Sequence, residues 1–142
     1  MPNIRWLLAL ITSIHRFLYR VTGGRLGKRM AGNDMLLLST VGRKTGQTRV
    51  TPLLTLARGD HFLVVASNAG DDREPAWWLN LKNKPEARVQ FGTEHCDVHA
   101  RAAEPQEAEA LWPQLIEAYA AYAEYRHKTS REIPIVVLER RG

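Results

Sequence analysis

The eight residues Gly42-Arg43-Lys44-Thr45-Gly46-Gln47-Thr48-Arg49 bring together three cations, two threonine hydroxyls and two glycines. Arginine offers a planar fork to phosphate or carboxylate oxygens, lysine adds a mobile point charge, and glycine lets main-chain N–H groups approach an anion closely. The chemistry this suits is an anion clamp. The GxxxxGK[ST] spacing of a nucleotide phosphate loop is absent, and a solvated hairpin tip has the same composition. Further on, Tyr119, Tyr122 and Tyr125 stand at i, i+3 and i+6. That spacing makes one gently drifting helical face, which by itself reads as readily as a packing stripe. His95, Asp97 and His99 alternate along a strand candidate. The two histidines would lie roughly 13 Å apart, too far to share an ion, so no metal site is expected. Cys96 is the single cysteine. It has no partner for an intramolecular disulfide or a CxxC motif, which points to a reducing cytoplasm and to packing as a small apolar group.

The elements that would position these residues follow from pattern. MLLLSTV (35–41) reads as a buried strand, 42–47 as a turn and Arg49 to Ala57 as the return strand. Arg58-Gly59-Asp60 is a tight turn into a third strand at 61–67. Acids ahead of Pro75 open a short helix, AWWLNLKNK, which Pro85 stops. A second hairpin turns at Gly92-Thr93, and Glu104-Pro105 opens a helix running towards Arg126 with an expected break at Trp112-Pro113. Residues 133–139 close the chain as a strand. About six largely antiparallel strands with inserted helices make a mostly β (α+β) small barrel. A doubly wound dinucleotide fold is disfavoured by the absence of GxGxxG after a strand and by links too short for parallel crossovers.

At 142 residues with 44% apolar content, the chain is long enough for one core and short for two. Its net charge of +5 belongs to one end: Arg5, Arg16, Arg20, Arg25, Lys28 and Arg29 precede the first acid, Asp34, and the rest is close to neutral. Between those cations Ile4, Leu7, Leu8, Ile11, Ile14, Leu18 and Val21 fall near helical spacing. The run is shorter than the roughly 20 residues a bilayer requires, and no small-residue cleavage site follows it. Residues 1–33 are therefore read as a basic amphipathic helix with a glycine hinge, and 34–142 as the barrel domain. Two roles fit the helix: peripheral contact with an anionic membrane through residues 3–22, or packing on the domain or a second subunit. Nucleic acid is not expected as a partner, because the basic residues interleave with aliphatics instead of lining an aromatic sheet.

The blocks LLLSTVGRKTGQTRVTPL, VVASNAGDDREPAWWLNLKNKPEARVQ and AEALWPQLIEAYAAYAEYRHKTSREIPIVVLE, in that order, resemble the deazaflavin-dependent nitroreductase family over roughly residues 35 to 140. These are coenzyme F420-dependent quinone and nitro reductases of actinobacteria, with a split β-barrel like that of pyridoxine phosphate oxidases. The resemblance implies that Arg43 and Lys44 bind the phosphate and carboxylated tail of the deazaflavin, with Arg49 nearby. It also implies that Pro52, Val65, Ala66, Ser67, Ala76, Trp77 and Asn80 surround the ring system and ribityl chain. Where some members carry a lysine after the serine, this chain has Asn68, which donates a hydrogen bond but neutralises no charge. Tyr119, Tyr122 and Tyr125, with Ser67, then become a lid over the electron acceptor, whose phenols can donate to an oxygen that gains negative charge.

The implied activity is hydride transfer from the reduced deazaflavin to a quinone-type acceptor, with reduction of nitroaromatic or nitroimidazole compounds alongside. Two alternatives use the same barrel: a non-catalytic carrier of a flavin-like or lipid-like ligand, and an FMN-dependent reductase. The implied location is cytoplasmic, peripheral on the inner face of the membrane.

Overall fold

Strand β4 (His61–Val65) shows how the core is organised. Phe62 and Val64 belong to one buried cluster, Leu63 and Val65 to another, so the period-2 alternation of the strand feeds two cores at once. Burial on both sides is why this run reads as continuously apolar. The computed structural model that shows this describes residues 34–141; the basic segment 1–33 expected to form a helix and hinge lies outside the described residues.

The other elements are β1 (Met35–Val41), β2 (Thr48–Leu54), β3 (Leu56–Arg58), α1 (Ala76–Asn83), β5 (Glu86–Phe91), β6 (Glu94–Ala102), α2 (Pro105–Ala118), α3 (Ala121–Lys128) and β7 (Ile135–Arg140). All strand pairs are antiparallel, in the order β2-β1-β5-β6-β7-β4-β3. The two edge strands, β2 and β3, are separated in sequence by Thr55 alone, so the opposite margins of the sheet converge there and the sheet curls into a half-barrel. Inside the curl, Trp77, Trp78 and Leu81 of α1 pack on Leu36, Leu38, Val89 and Val98. On the other face, Trp112 and Leu115 of α2 and Tyr122 of α3 cover Leu63, Ile135 and Val137. Each such side chain contributes about 1.5–3 kcal/mol on burial, which is what holds the helices at fixed heights over the sheet.

Two boundaries differ from expectation. The return strand expected at Arg49 to Ala57 is two strands, giving seven in all, because Thr55 turns the corner. Its hydroxyl donates to the carbonyl of Leu63 (2.9 Å) while its N–H donates to the carbonyl of Asp34 (3.0 Å). A run of β-branched and apolar residues carries no local mark of that switch. The helix expected to break at Trp112-Pro113 instead continues through Pro113 and ends at Tyr119, whose φ of −148° and ψ of 98° are extended. Trp112 and Leu115 anchor the turns on either side of the proline in one core. That packing offsets the roughly 3 kcal/mol a mid-helix proline costs.

Candidate active site

The turn between β1 and β2 holds the cationic cluster. Gly42 N–H donates to the carbonyl of Gln47 and Gly46 N–H to that of Gly42, both at 2.8 Å. Gly46 takes a φ of +73°, which glycine adopts without strain. A Cβ on Gly42 would sit 3.0 Å from the Gln47 carbonyl oxygen and 3.2 Å from the Thr45 hydroxyl, so the tightness of this turn depends on glycine. Asn80 of α1 reaches across to it. Its Oδ1 accepts from both the backbone N–H and the Nη1 of Arg43, each at 3.1 Å, while its Nδ2 donates to the Thr40 hydroxyl (3.2 Å). Arg43, Lys44 and Arg49 are exposed cations on a cavity of about 430 Å³ whose other walls include Thr51, Trp77 and Asn80.

A larger cavity of about 800 Å³ adjoins it, and Thr51, Ala76 and Trp77 line both. Its walls carry Pro52, Val65, Ser67 and Asn68 together with the three tyrosines. Tyr119 caps α2 and the other two belong to α3, so the trio is assembled across a helix break and not along one helix face. The ring centroids of Tyr119 and Tyr122 are 5.0 Å apart, those of Tyr122 and Tyr125 6.2 Å, and those of Tyr119 and Tyr125 6.4 Å, all inclined at 50–67°. These are favourable edge-type contacts. Burial pushes the Tyr122 phenol well above the usual range, and its two tyrosine neighbours push the same way. Tyr125 is raised chiefly by its hydrogen bond with Tyr119 and then by burial. Tyr122 and Tyr125 therefore present neutral phenols at physiological pH.

Of the residues singled out in the sequence, Arg43, Lys44, Arg49 and Asn80 meet at one end, and Pro52, Val65, Ser67, Asn68, Tyr119, Tyr122 and Tyr125 at the other. Ala76 and Trp77 lie between. Ala66 is set apart: it is fully buried, its N–H donates to the carbonyl of Pro134, and its carbonyl accepts from Arg131. Trp77 serves both the core and the cavities, whereas Trp78 packs in the core with the Lys82 ammonium 5.9 Å from its ring. His95 and His99 are exposed, and among the described residues no three His, Cys, Asp or Glu side chains converge on a metal position. Cys96 packs against the inner core, and desolvation raises its thiol pKa.

Sequence reasoning missed the apolar end of the large cavity, formed by Met35, Leu53 and Leu54, and its charged rim, Arg73 and Glu74. It also missed Arg131, which ties down the loop bearing Ser67. Thr51, Pro52, Leu53 and Leu54 line the cavity consecutively, so alternation along β2 does not pick out Leu53 or Leu54, and nothing local marks the others.

The groove thus offers cations at one end, a tryptophan wall in the middle and a phenol-lined chamber at the other, which suits a planar ligand with an anionic tail beside a second flat molecule. A family model described as F420H(2)-dependent quinone reductase matches residues 12–140. The chain belongs to this family. An F420H(2)-dependent quinone reductase of Mycobacterium tuberculosis is 42% identical over 132 residues, covering 90% of this chain and 89% of that protein. A solved F420-H2 dependent reductase superposes with a TM-score of 0.68 at 39% identity, covering 74% of this chain and 93% of that one. A pyridoxamine 5′-phosphate oxidase-like structure from Listeria innocua, 9% identical with a TM-score of 0.56, covers 91% of this chain and 94% of its own and shares the fold. The family's split barrel is therefore the architecture described above, with β2 and β3 as its open margins.

Proposed function

We propose that this protein reduces quinones with coenzyme F420H2, binding the cofactor along the groove and the acceptor in the tyrosine-lined chamber. The observation that carries this reading is the continuity of the two cavities through Thr51, Ala76 and Trp77, with a cation cluster at one end and three phenols at the other. The donor set fits the cofactor: Arg43, Lys44 and Arg49 match a phosphate and carboxylated tail, and the missing Cβ at Gly42 keeps the turn tight beneath them. When bound, the reduced deazaflavin supplies two electrons and one hydrogen as hydride.

The chain's own residues do the rest. Asn80 holds Arg43 in place before any ligand arrives, so less conformational freedom is lost on binding. Trp77 gives a planar wall, and Pro52 and Val65 supply apolar surface that keeps water away from the reacting faces. Ser67 and the phenols of Tyr119, Tyr122 and Tyr125 donate hydrogen bonds to the acceptor oxygen as it becomes negative. The proton that completes the hydroquinone comes from water or from a hydroxyl such as Ser67 or Tyr125. The same chamber admits nitroaromatic and nitroimidazole acceptors, and residues 3–22 bring the domain to a membrane surface where apolar quinones are dissolved. Among the described residues no helix is long and apolar enough to cross a membrane.

Fluorescence titration of the purified protein with oxidised F420, and with FMN in parallel, tests cofactor choice; oxidation of F420H2 on adding menadione tests catalysis. Tight F420 binding with menadione-dependent oxidation is the expected result. Binding without turnover would make the protein a carrier, and binding of FMN alone would reassign the cofactor. A nitroimidazole in place of menadione tests the second acceptor class, and liposome flotation with and without residues 1–30 tests the membrane contact.

A further inference from the structure

The loop leaving β4 at Ser67 takes a course that ordinary residues disfavour. Asn68, Ala69 and Gly70 have φ values of +47°, +54° and +81°, three consecutive positions in the left-handed region of which two are not glycine. Local bonds hold part of it: Gly70 N–H donates to the Ser67 carbonyl (2.9 Å), Asp71 N–H to that of Asn68 (3.0 Å), and Asn68 Nδ2 to that of Arg73 (3.0 Å). The long-range hold is Arg131, in the segment between α3 and β7. Its Nε donates to the carbonyl of Asp71 (2.9 Å) and its Nη2 to those of Ser67 (2.9 Å) and Ala66 (3.2 Å). All three acceptors are main-chain oxygens, so the cation is used to fix backbone and not to pair with a carboxylate. Two residues earlier, the buried Thr129 hydroxyl donates to Asp72 Oδ1 (2.5 Å), making a second point of the same clasp.

The clasp also fixes the tyrosines. Gly70 lies against α3 so closely that a Cβ there would stand 3.2 Å from the Cα of Tyr125 and 3.0 Å from the Cβ of Lys128. The loop bearing Ser67 and the helix bearing Tyr122 and Tyr125 are therefore in direct contact, and the segment that follows that helix reaches back to grip the loop.

We infer that Arg131 is a positioning residue of the acceptor chamber, holding the Ser67 loop in its left-handed course and in register with the tyrosine helix. This rests on the reading above that Ser67 and the tyrosines face the acceptor. An arginine is required because its planar fork reaches carbonyls in two directions, whereas a single ammonium meets only one end of the loop.

The test uses the full chain and the variants Arg131→Gln, Arg131→Lys and Thr129→Val, the last cutting the clasp at its other point without touching the guanidinium. Hydrogen exchange without any cofactor reads the loop directly. Peptides spanning 66–72 and 119–128 should exchange at least tenfold faster in Arg131→Gln and measurably faster in Thr129→Val, while β5 and β6 keep their protection. KM for menadione should rise about tenfold, with Arg131→Lys recovering only part, while F420 affinity should fall by much less, because its cationic clamp lies at the other end of the groove and only its ring borders the Ser67 loop. In a Ser67→Ala background, Arg131→Gln should cost markedly less than it does in the parent. Unchanged loop exchange, an unchanged menadione KM or an F420 affinity lost as steeply as KM rises would each overturn the inference, as would, when Ser67→Ala is itself impaired, an undiminished cost of Arg131→Gln in that background. Wild-type turnover of Ser67→Ala itself would sink the serine's role in the reaction, leaving Arg131 to stand or fall on loop exchange and menadione KM, which read the tyrosine side of the clasp.

Discussion

Asn80 Oδ1 accepts two hydrogen bonds from Arg43, one from its backbone N–H and one from its guanidinium, each at 3.1 Å. One buried amide, 4% exposed, therefore sets both the path of the β1–β2 turn and the direction of its first cation. Asn80→Ala should weaken F420 binding about tenfold, near the 1.4 kcal/mol expected when a hydrogen bond to a charged group is lost. If Asn80 acts mainly through Arg43, Asn80→Ala will add little to Arg43→Ala in a double-mutant cycle read by fluorescence titration. Full additivity would mean that the two residues contact the cofactor independently.

Gly42 is a second determinant of the clamp, through space and not through charge. A Cβ there meets the Gln47 carbonyl oxygen at 3.0 Å, and that oxygen already accepts the Gly42 N–H. Gly42→Ala should therefore open the turn, costing about 1–3 kcal/mol of stability as over-packing does. F420 affinity should fall together with the melting temperature. Gly59, at another hairpin tip, has nothing within 4 Å of an added Cβ, so Gly59→Ala serves as the control that leaves both unchanged.

Much of this architecture can be read in the sequence, and the exceptions share a cause. The β1–β2 hairpin is legible because glycines and cations interrupt two apolar runs, and α1 because Pro75 and Pro85 bracket it. The break expected at Pro113 follows a local rule that the packing of Trp112 and Leu115 overrides. Thr55 looks like any β-branched strand residue, and only its bond to the Leu63 carbonyl reveals the corner. Arg131 was invisible for the same reason: its partners are main-chain carbonyls 60 to 65 positions away, and a carbonyl leaves no mark in the residue type. The cation cluster and the tyrosine trio were legible as residue types, whereas the groove joining them exists only in the fold.

The phenols of the chamber define an alkaline prediction. Burial raises Tyr122, and the bond with Tyr119 raises Tyr125, so both remain protonated donors above the roughly pH 10 at which free tyrosine ionises. The rate with menadione should show no loss attributable to these groups up to that pH. Tyr125→Phe should lower kcat several-fold while leaving F420 affinity unchanged, since the clamp lies elsewhere. Unaltered turnover on both quinone and nitro acceptors would remove Tyr125 from any chemical role and leave it as packing.

The support beneath the tyrosines makes stability depend on acid. Arg101 of β6 donates from Nη1 and Nη2 to the two carboxylate oxygens of Glu107 in α2, at 2.7 and 2.9 Å, and from Nε to Glu139 of β7 at 3.2 Å. Glu107 Oε1 also accepts the N–H of Glu104, so one carboxylate both starts α2 and pins it to the sheet that sets the position of Tyr119. The guanidinium holds the Glu107 carboxyl down at about 2, against an ordinary value of 4.5. Between those two values the unfolded chain binds a proton that the folded chain does not, so stability rises with pH across that window. The contribution is complete above about pH 4.5 and lost as pH falls to about 2. Glu107→Gln should therefore flatten the dependence of melting temperature on pH between about 2 and 4.5 while lowering its plateau at neutral pH. Because Glu107 and Arg101 are about one-third exposed, solvent screening keeps that lowering modest. A variant that still loses stability as steeply as the parent over this window would show that another carboxylate controls the acid limb, and Glu139, on the same guanidinium, is the next to substitute.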